Sequence, residues 1–467
     1  MSSPDNDFVL DKTILRAADI RGVAGLTLPA RAAELIGRGF GSVVLRRGLK
    51  TVIVGGDGRL STPELKSALI RGLAACGARV VDIGLCPTPM LYFAVVTTPE
   101  TAGVMVTASH NPKEYNGFKM LLDGQSFCGS DLLGLGDVID RRDFTAGEGK
   151  TEKADFLTRY VDRLARDFRP SGKPLTVVWD CGNATAGVVV PELVKRLNGR
   201  HIVLNGRVDG NFPAHAPDCS KEENLRELQA AVLREKADLG LAFDGDADRL
   251  GVVDSRGRMV QADKLLPVYA EEILKTHPRA VFIADIKSGK TFSSEIKRLG
   301  GVPVIGKTGH SFIKMKMRET GALLGGEMSG HICFADKYYG FDDALYAAVR
   351  LLDIAAHMEN ETLQDRIDRI PETFATGEIQ IPCPDGEKFR CVEEIKASLN
   401  RQGIAFDDTD GVKRVWPTTG WWLIRASNTS PALVGRCEAD TKAELDALVQ
   451  NLFQTVNEVY PVEKKQF

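Results

Sequence analysis

The segment Asp244-Gly245-Asp246-Ala247-Asp248-Arg249 carries three carboxylates at alternate positions. It follows one apolar run, residues 238–243, and precedes another, residues 250–253, so it reads as a loop at the carboxyl end of a strand. Three such anions repel one another strongly unless a cation sits among them. Hard oxygen donors suit Mg²⁺, which keeps positions open for phosphate oxygens. An EF-hand is excluded, because its sixth position requires Gly and its twelfth Glu, and here they are Arg249 and Ser255. The bland alternative is a solvated acidic turn, which gives three Asp in so short a context little to do.

Three further segments offer chemistry with alternatives open. Thr107-Ala108-Ser109-His110-Asn111-Pro112 follows the apolar pair Val104 and Val106. Its serine is either a nucleophile or part of a polar turn. No G-x-S-x-G elbow surrounds it, and His110 need not face the same way. Gly325-Gly326-Glu327-Met328-Ser329-Gly330-His331 sets a carboxylate, a hydroxyl and an imidazole among glycines, which suits polyol binding or a Ser-capped turn. Arg425-Ala426-Ser427-Asn428-Thr429-Ser430 is either an anion cradle for a phosphate or a hydroxyl-rich loop. A fourth segment, from Gly301 to Gly306-Lys307-Thr308, satisfies the G-x-x-x-x-G-K-[ST] pattern. Its intervening residues Val302, Pro303, Val304 and Ile305 read as a strand rather than as a phosphate-wrapping loop.

These loops need elements to hold them. Residues 51–56 read as a buried strand ending in glycine. Thr62-Pro63-Glu64 then starts a helix, with Thr62 as N-cap and Pro63 at the first helical position. Leu65, Ala68, Leu69 and Leu73 supply its apolar stripe, Gly77 ends it, and residues 79–83 begin the next strand. This β-α-β rhythm predicts a largely parallel sheet covered by helices. It restarts at residues 175–182 and 280–289, either as three related α/β units or as the ordinary strands of any α/β protein. Past residue 370, Pro371, Pro382 and Pro384 break the pattern, and a smaller α+β domain is predicted. A last helix over 442–459 carries Leu445, Leu448, Val449, Leu452 and Val456 on one stripe.

Composition bounds the function. The 467 residues correspond to two to four domains, at roughly 100–200 residues each. Lys+Arg 60 against Asp+Glu 63 leaves a formal charge of −3, without the basic excess of a nucleic-acid or membrane-surface binder. The nine cysteines are scattered and none forms C-x-x-C, which points to a reducing compartment and excludes a disulfide scaffold or Cys-rich zinc site. Residues 1–12 carry no apolar signal core, and no apolar stretch approaches a membrane span. A soluble cytoplasmic protein is expected.

Taken together in order and spacing, these segments resemble the α-D-phosphohexomutase superfamily, and within it the bacterial bifunctional phosphomannomutase/phosphoglucomutase group. The resemblance also runs through Arg16-Ala17-Ala18-Asp19-Ile20-Arg21-Gly22, Asp57-Gly58-Arg59-Leu60-Ser61, Tyr115-Asn116-Gly117-Phe118-Lys119, Asp180-Cys181-Gly182-Asn183, Val208-Asp209-Gly210-Asn211-Phe212-Pro213, Lys307-Thr308-Gly309-His310-Ser311 and Gly340-Phe341-Asp342-Asp343. It implies three related α/β domains with mixed, largely parallel sheets (1–155, 156–258, 259–370) and a C-terminal α+β domain (371–467) around a central active-site cleft.

The resemblance also implies an activity: reversible interconversion of hexose 1-phosphate and hexose 6-phosphate, of mannose and glucose. Ser109 carries a phosphoryl group and passes it to the sugar, forming a 1,6-bisphosphosugar such as glucose 1,6-bisphosphate, whose other phosphate returns to Ser109. Asp244, Asp246 and Asp248 hold Mg²⁺ against the phosphoserine. Arg249, Lys287 and His310 line the substrate site, Glu327 and Ser329 grip the sugar hydroxyls, and Arg425, Ser427, Asn428 and Thr429 hold the non-reacting phosphate. Lys119, His331 and Arg21 are candidates for proton transfer or transition-state charge. A monomer acting on small phosphosugars is implied, with neither nucleic acid nor membrane as partner. Ala108 and Ala247 stand where Gly is expected, and Ala18 where relatives often carry Tyr, which bears on substrate affinity rather than reaction class. The alternatives are a phosphoglucosamine mutase, whose loop usually has Gln at the position of Met328, and a phosphatase or kinase using the same serine and metal.

Overall fold

The structure is a computed structural model that describes residues 8–427 and 430–461. Its contacts divide the chain into two compact units, residues 1–262 with 329–364, and residues 263–328 with 365–467.

The first unit contains two mixed sheets. In one, strands Thr101–Val106, Thr51–Gly56, Arg79–Leu85 and Thr151–Lys153 run parallel. Tyr115–Leu122 adds antiparallel to Thr101–Val106, and Ile20–Val23 adds antiparallel to that. The second sheet has Leu239–Phe243, Leu175–Asp180 and Gly199–Leu204 parallel, with Leu250–Asp254 and Met259–Val260 added antiparallel. Parallel strands buried on both faces need helices on both sides, and the continuous apolar runs of the sequence reflect that. Helices Ala30–Arg46 and Thr62–Ala75 cover the first sheet at close range. A Cβ at Gly37 would stand 2.3 Å from the Leu69 carbonyl, and one at Gly72 2.1 Å from that of Glu34, so this helix pair exists only with glycine at both crossings.

The second unit contains three parallel strands, Val281–Asp285 between Val302–Gly306 and Leu324–Gly326. It also holds an all-antiparallel C-terminal sheet of Val412–Trp416, Gly420–Ala426, Ala432–Ala439, Ile379–Pro382 and Phe374–Ala375. Helices Lys388–Arg401 and Lys442–Asn457 bury Ile395, Leu399, Leu445, Leu448 and Leu452 against that sheet. The predicted α+β character of the last hundred residues and the largely parallel character of the rest are both present.

Two local expectations are corrected. Thr62 is the first residue of its helix rather than its N-cap, which is Ser61. The Thr62 hydroxyl donates to Asp57 Oδ1 at 2.6 Å, so it is spent on the neighbouring loop and leaves the helix amides alone. The last helix ends at Asn457, two residues short of the predicted end. Thr441 caps its start, accepting from the Glu444 amide while donating to the Glu444 carboxylate. Residues 302–305 of the P-loop-like pattern lie in the strand Val302–Gly306, as their composition predicted, so the pattern wraps no phosphate.

Candidate active site

Ser109 sits in the loop between strands Thr101–Val106 and Tyr115–Leu122, at the carboxyl end of the former. It is buried and has φ of 51°, in the left-handed region that side chains disfavour. Its Oγ donates to Asp244 Oδ2 at 2.7 Å, joining a loop of the first sheet to one of the second. His110, whose facing the sequence left open, brings Nδ1 to 3.2 Å from the same Oγ. Burial, with the nearby cations Arg249 and Arg21, holds the His110 imidazole well below its ordinary pKa and therefore neutral.

The acidic loop joins Leu239–Phe243 to Leu250–Asp254, and its three carboxylates are completely buried, which excludes the solvated turn. Asp244, Asp246 and Asp248 each offer an oxygen within 4.8 Å of the others. Asp244 Oδ1 accepts from the amides of Asp248 and Arg249, which folds the loop back on itself, with Ala247 at φ of 58°. Asp246 Oδ2 accepts from Thr88 and, at 2.6 Å, from Lys119 Nζ, which also donates to Asp248. Burial pushes the Asp244 carboxyl well up, and the like charges of Asp248 and Asp246 add to it. Burial alone would lower Lys119, but Asp246, Asp248 and Asp244 outweigh it and raise its pKa, so it stays an ammonium.

Three carboxylates against one ammonium leave two formal negative charges in a dry site, and Asp246 Oδ1 is buried with no hydrogen-bond partner among the described residues. This hard-oxygen donor set and its charge fit a divalent cation such as Mg²⁺. On the other flank of the loop, Arg249 Nε donates to His331 Nε2 at 3.0 Å. The opposite ring nitrogen of His331 lies 3.1 Å from Asp342 and 3.5 Å from Asp248. Arg21 donates to Asn111 Oδ1 at 2.6 Å and to Asp19. Six of the predicted groups around Ser109 therefore converge within the first unit: the three Asp, Lys119, Arg249 and His331. Arg21 joins them through Asn111. Ser329 is half-buried in this unit too.

The second unit assembles another part of the predicted set. Buried Glu327 accepts the Gly309 amide at 2.7 Å, at the start of helix His310–Thr320. The preceding amide, of Thr308, donates to Asp410 Oδ2 at 3.1 Å, and the same oxygen accepts Arg425 Nε at 2.9 Å. Buried Arg425 Nη2 has no hydrogen-bond partner among the described residues. Ser427 Oγ lies 2.8 Å from Ser430 Oγ and accepts the Ser430 amide. Lys287 pairs with Glu378 at 2.8 Å, and His310 with Lys314 at 3.1 Å. Asn428 and Thr429 lie outside the described residues.

Sequence reasoning missed the groups that orient these ligands. Thr88, Asp342 and Asp410 acquire these partners only through tertiary contact. Asp342 fell within a segment noted for its resemblance, which was the one available signal.

Four family models match in succession. These are the phosphoglucomutase/phosphomannomutase α/β/α domains I (residues 12–144), II (158–257) and III (261–374) and the C-terminal domain (378–455). A phosphomannomutase/phosphoglucomutase of Pseudomonas aeruginosa is 44% identical over 456 residues, 97% of this chain and 98% of that protein. A phosphoglucomutase of Neisseria gonorrhoeae is 41% identical over 456 residues, with the same coverage of 97% and 98%. Among solved structures, a phosphoglucomutase/phosphomannomutase family protein of Burkholderia thailandensis superposes with a TM-score of 0.90 at 39% identity, covering 97% of this chain and 99% of that one.

Proposed function

The chain belongs to the phosphoglucomutase/phosphomannomutase family, and from that premise we propose that it interconverts the 1- and 6-phosphates of glucose and mannose by way of a phosphoserine at Ser109. The observation that carries this reading is the contact of Ser109 Oγ with Asp244 at 2.7 Å inside a buried triple-carboxylate loop. A serine hydroxyl against three buried Asp suits a phosphoryl carrier, because a divalent cation held by those carboxylates would offset the negative charge of the phosphoryl group. Asp244, Asp246 and Asp248, with Ser109, would hold Mg²⁺, which neutralises charge on the phosphoryl group in transfer.

The remaining roles follow from this chain's own side chains. The phosphoryl bond to Ser109 Oγ breaks as one to a sugar oxygen forms; the sugar hydroxyl gives up a proton and Ser109 regains one. Lys119, which donates to Asp246 and Asp248, is assigned to transition-state charge or proton transfer. His331, oriented by Arg249, and Arg21 are the groups we assign to proton transfer and transition-state charge. Arg425, with Ser427, Asn428 and Thr429, binds the phosphate that does not react, and Glu327 and Ser329 bind sugar hydroxyls. Arg249, Lys287 and His310 complete the substrate contacts. Glucose 1,6-bisphosphate is the intermediate and activator. We place the domains at 1–155, 156–258, 259–370 and 371–467, and propose a cytoplasmic monomer. All nine cysteines are free and buried, which supports a reducing compartment. No described helix is long and apolar enough to cross a membrane.

A coupled assay with mannose 1-phosphate and with glucose 1-phosphate, each with a trace of the bisphosphate, tests the activity. Intact-mass measurement tests the carrier: the wild type gains one phosphoryl group that Ser109→Ala lacks, and Ser109→Ala loses turnover by several orders of magnitude. Near-wild-type activity of Ser109→Ala overturns the covalent reading.

A further inference from the structure

Two of the segments shared with the family, Asp57-Gly58-Arg59-Leu60-Ser61 and Val208-Asp209-Gly210-Asn211-Phe212-Pro213, have no part in the chemistry above. Both converge on the loop that carries Ser109. The Arg59 guanidinium is completely buried, and each of its five N–H groups has an acceptor. Nε donates to Asp57 Oδ2 at 3.1 Å. Nη1 donates to the carbonyls of Pro112 at 2.6 Å and Tyr115 at 3.1 Å. Nη2 donates to the carbonyls of Ser109 and Asn111, both at 2.7 Å. Four main-chain carbonyls of the nucleophile loop thus point at one side chain. A planar fork of five donors can answer them all, whereas an ammonium has three hydrogens on one point.

A second tether starts from the same carboxylate. Asp57 Oδ2 accepts the Thr107 hydroxyl at 2.8 Å, and Thr107 Oγ1 in turn accepts the Ser109 amide at 2.9 Å. The serine is therefore held at its amide and at its carbonyl by groups that both lean on Asp57, which fixes its left-handed backbone. From the second sheet's side, the Phe212 ring covers the guanidinium at 5.3 Å. Gly210 approaches so closely that a Cβ would stand 2.5 Å from the Gly58 carbonyl. The fork is thereby sealed from water.

We propose that Arg59 is a positioning residue for the nucleophile: with the Asp57–Thr107 tether and under the Phe212 ring, it holds the Ser109 backbone fixed while Oγ alternates between hydroxyl and phosphate. This rests on the phosphoserine reading of Ser109. Each turnover changes the charge on Oγ by about two units, against three buried carboxylates. A loop free to relax would let the oxygen drift between the two states. A drift of about 1 Å is enough to cost roughly 10²-fold in rate.

The test compares purified full-length Arg59→Lys, Thr107→Val and Thr107→Ser with wild type and Ser109→Ala. It measures kcat and KM for glucose 1-phosphate, circular dichroism, and phosphoryl content by intact mass after incubation with glucose 1,6-bisphosphate. Arg59→Lys is expected to stay folded, to lose about 10²-fold in kcat, and to keep KM within about threefold of wild type. Its phosphorylation by the bisphosphate should slow in parallel. A folded Arg59→Lys with wild-type kcat, or a loss confined to KM, overturns the proposal. Should Arg59→Lys fail to fold, the Thr107 pair decides. Thr107→Val should lose about tenfold in kcat, Thr107→Ser should restore it, and equal kcat in the two overturns the proposal. Near-wild-type activity in Ser109→Ala would instead overturn the phosphoserine reading.

Discussion

Lys119 Nζ donates to Asp246 Oδ2 at 2.6 Å, so an ammonium on the first sheet neutralises part of a carboxylate cluster on the second. The two residues are far apart in the chain and meet inside a dry site, where charge is worth far more than at a surface. Two formal negative charges remain, and a divalent cation is the counterpart they fit.

Removing one charge from either side of that pair has opposite consequences for the metal. Asp246→Asn deletes an anionic ligand and is expected to weaken Mg²⁺ binding and activity together. Lys119→Gln deletes a competing cation and is expected to bind Mg²⁺ at least as tightly as wild type while kcat falls. Calorimetric titration of EDTA-stripped protein separates the two, and EDTA should silence the wild type until Mg²⁺ is restored. Full activity in EDTA would make the acidic loop structural.

Sugar specificity should be shallow. Glucose and mannose differ only at C2, and the proposed contacts are to a phosphate and to hydroxyls between C1 and C6. A site that hydrogen-bonds a distinguishing hydroxyl rejects the wrong substrate by roughly 10⁴-fold; here kcat/KM for the two 1-phosphates should differ by no more than about 10²-fold. Glu327→Ala should weaken both sugars by similar factors. Because Glu327 also accepts the Gly309 amide, Glu327→Gln serves as the fold-preserving partner. Loss of one sugar with the other spared would show that Glu327 reads C2.

The acidic loop and the serine loop touch through a missing side chain. A Cβ at Gly245 would stand 2.2 Å from the Ser109 carbonyl oxygen, a backbone atom that Arg59 already holds. Gly245→Ala is therefore expected to destabilise the protein by about 1–3 kcal/mol and to lower kcat. Chemical denaturation and steady-state kinetics check both, and an alanine variant with wild-type turnover would show that the two loops separate freely.

Asp343 links pH to stability. Burial pushes its carboxyl up to about 6, against the opposing hydrogen bonds from Tyr346, Tyr338 and Tyr160. A carboxyl whose folded pKa lies above its unfolded value of about 3.9 binds its proton more tightly in the folded state. Its contribution is thus complete below about pH 4 and is lost as pH rises through about 6. Asp343→Asn, which keeps an acceptor without the charge, should gain stability relative to wild type across that window. Parallel denaturation curves at pH 4.5 and 7 would show it, and a constant difference would place the pKa elsewhere.

The sequence by itself determined what is local. The strand before Asp244 and the helix stripe of Leu65, Ala68, Leu69 and Leu73 follow from apolar periodicity, and three Asp at alternate positions mark a cluster that could hold a cation before any fold is known. The order of the motifs identified the family and supplied the set of candidate site residues. Tertiary structure decided everything that depends on which distant groups meet. That Lys119 lies among the Asp carboxylates, that His110 turns towards Ser109, and that Thr62 gives its hydroxyl to Asp57 instead of its own helix are outcomes of sheet register and loop packing. Arg59 shows the limit most clearly. Its task is to bind four main-chain carbonyls, and carbonyls are the same at every residue, so no pattern of side chains could have revealed which ones it would hold.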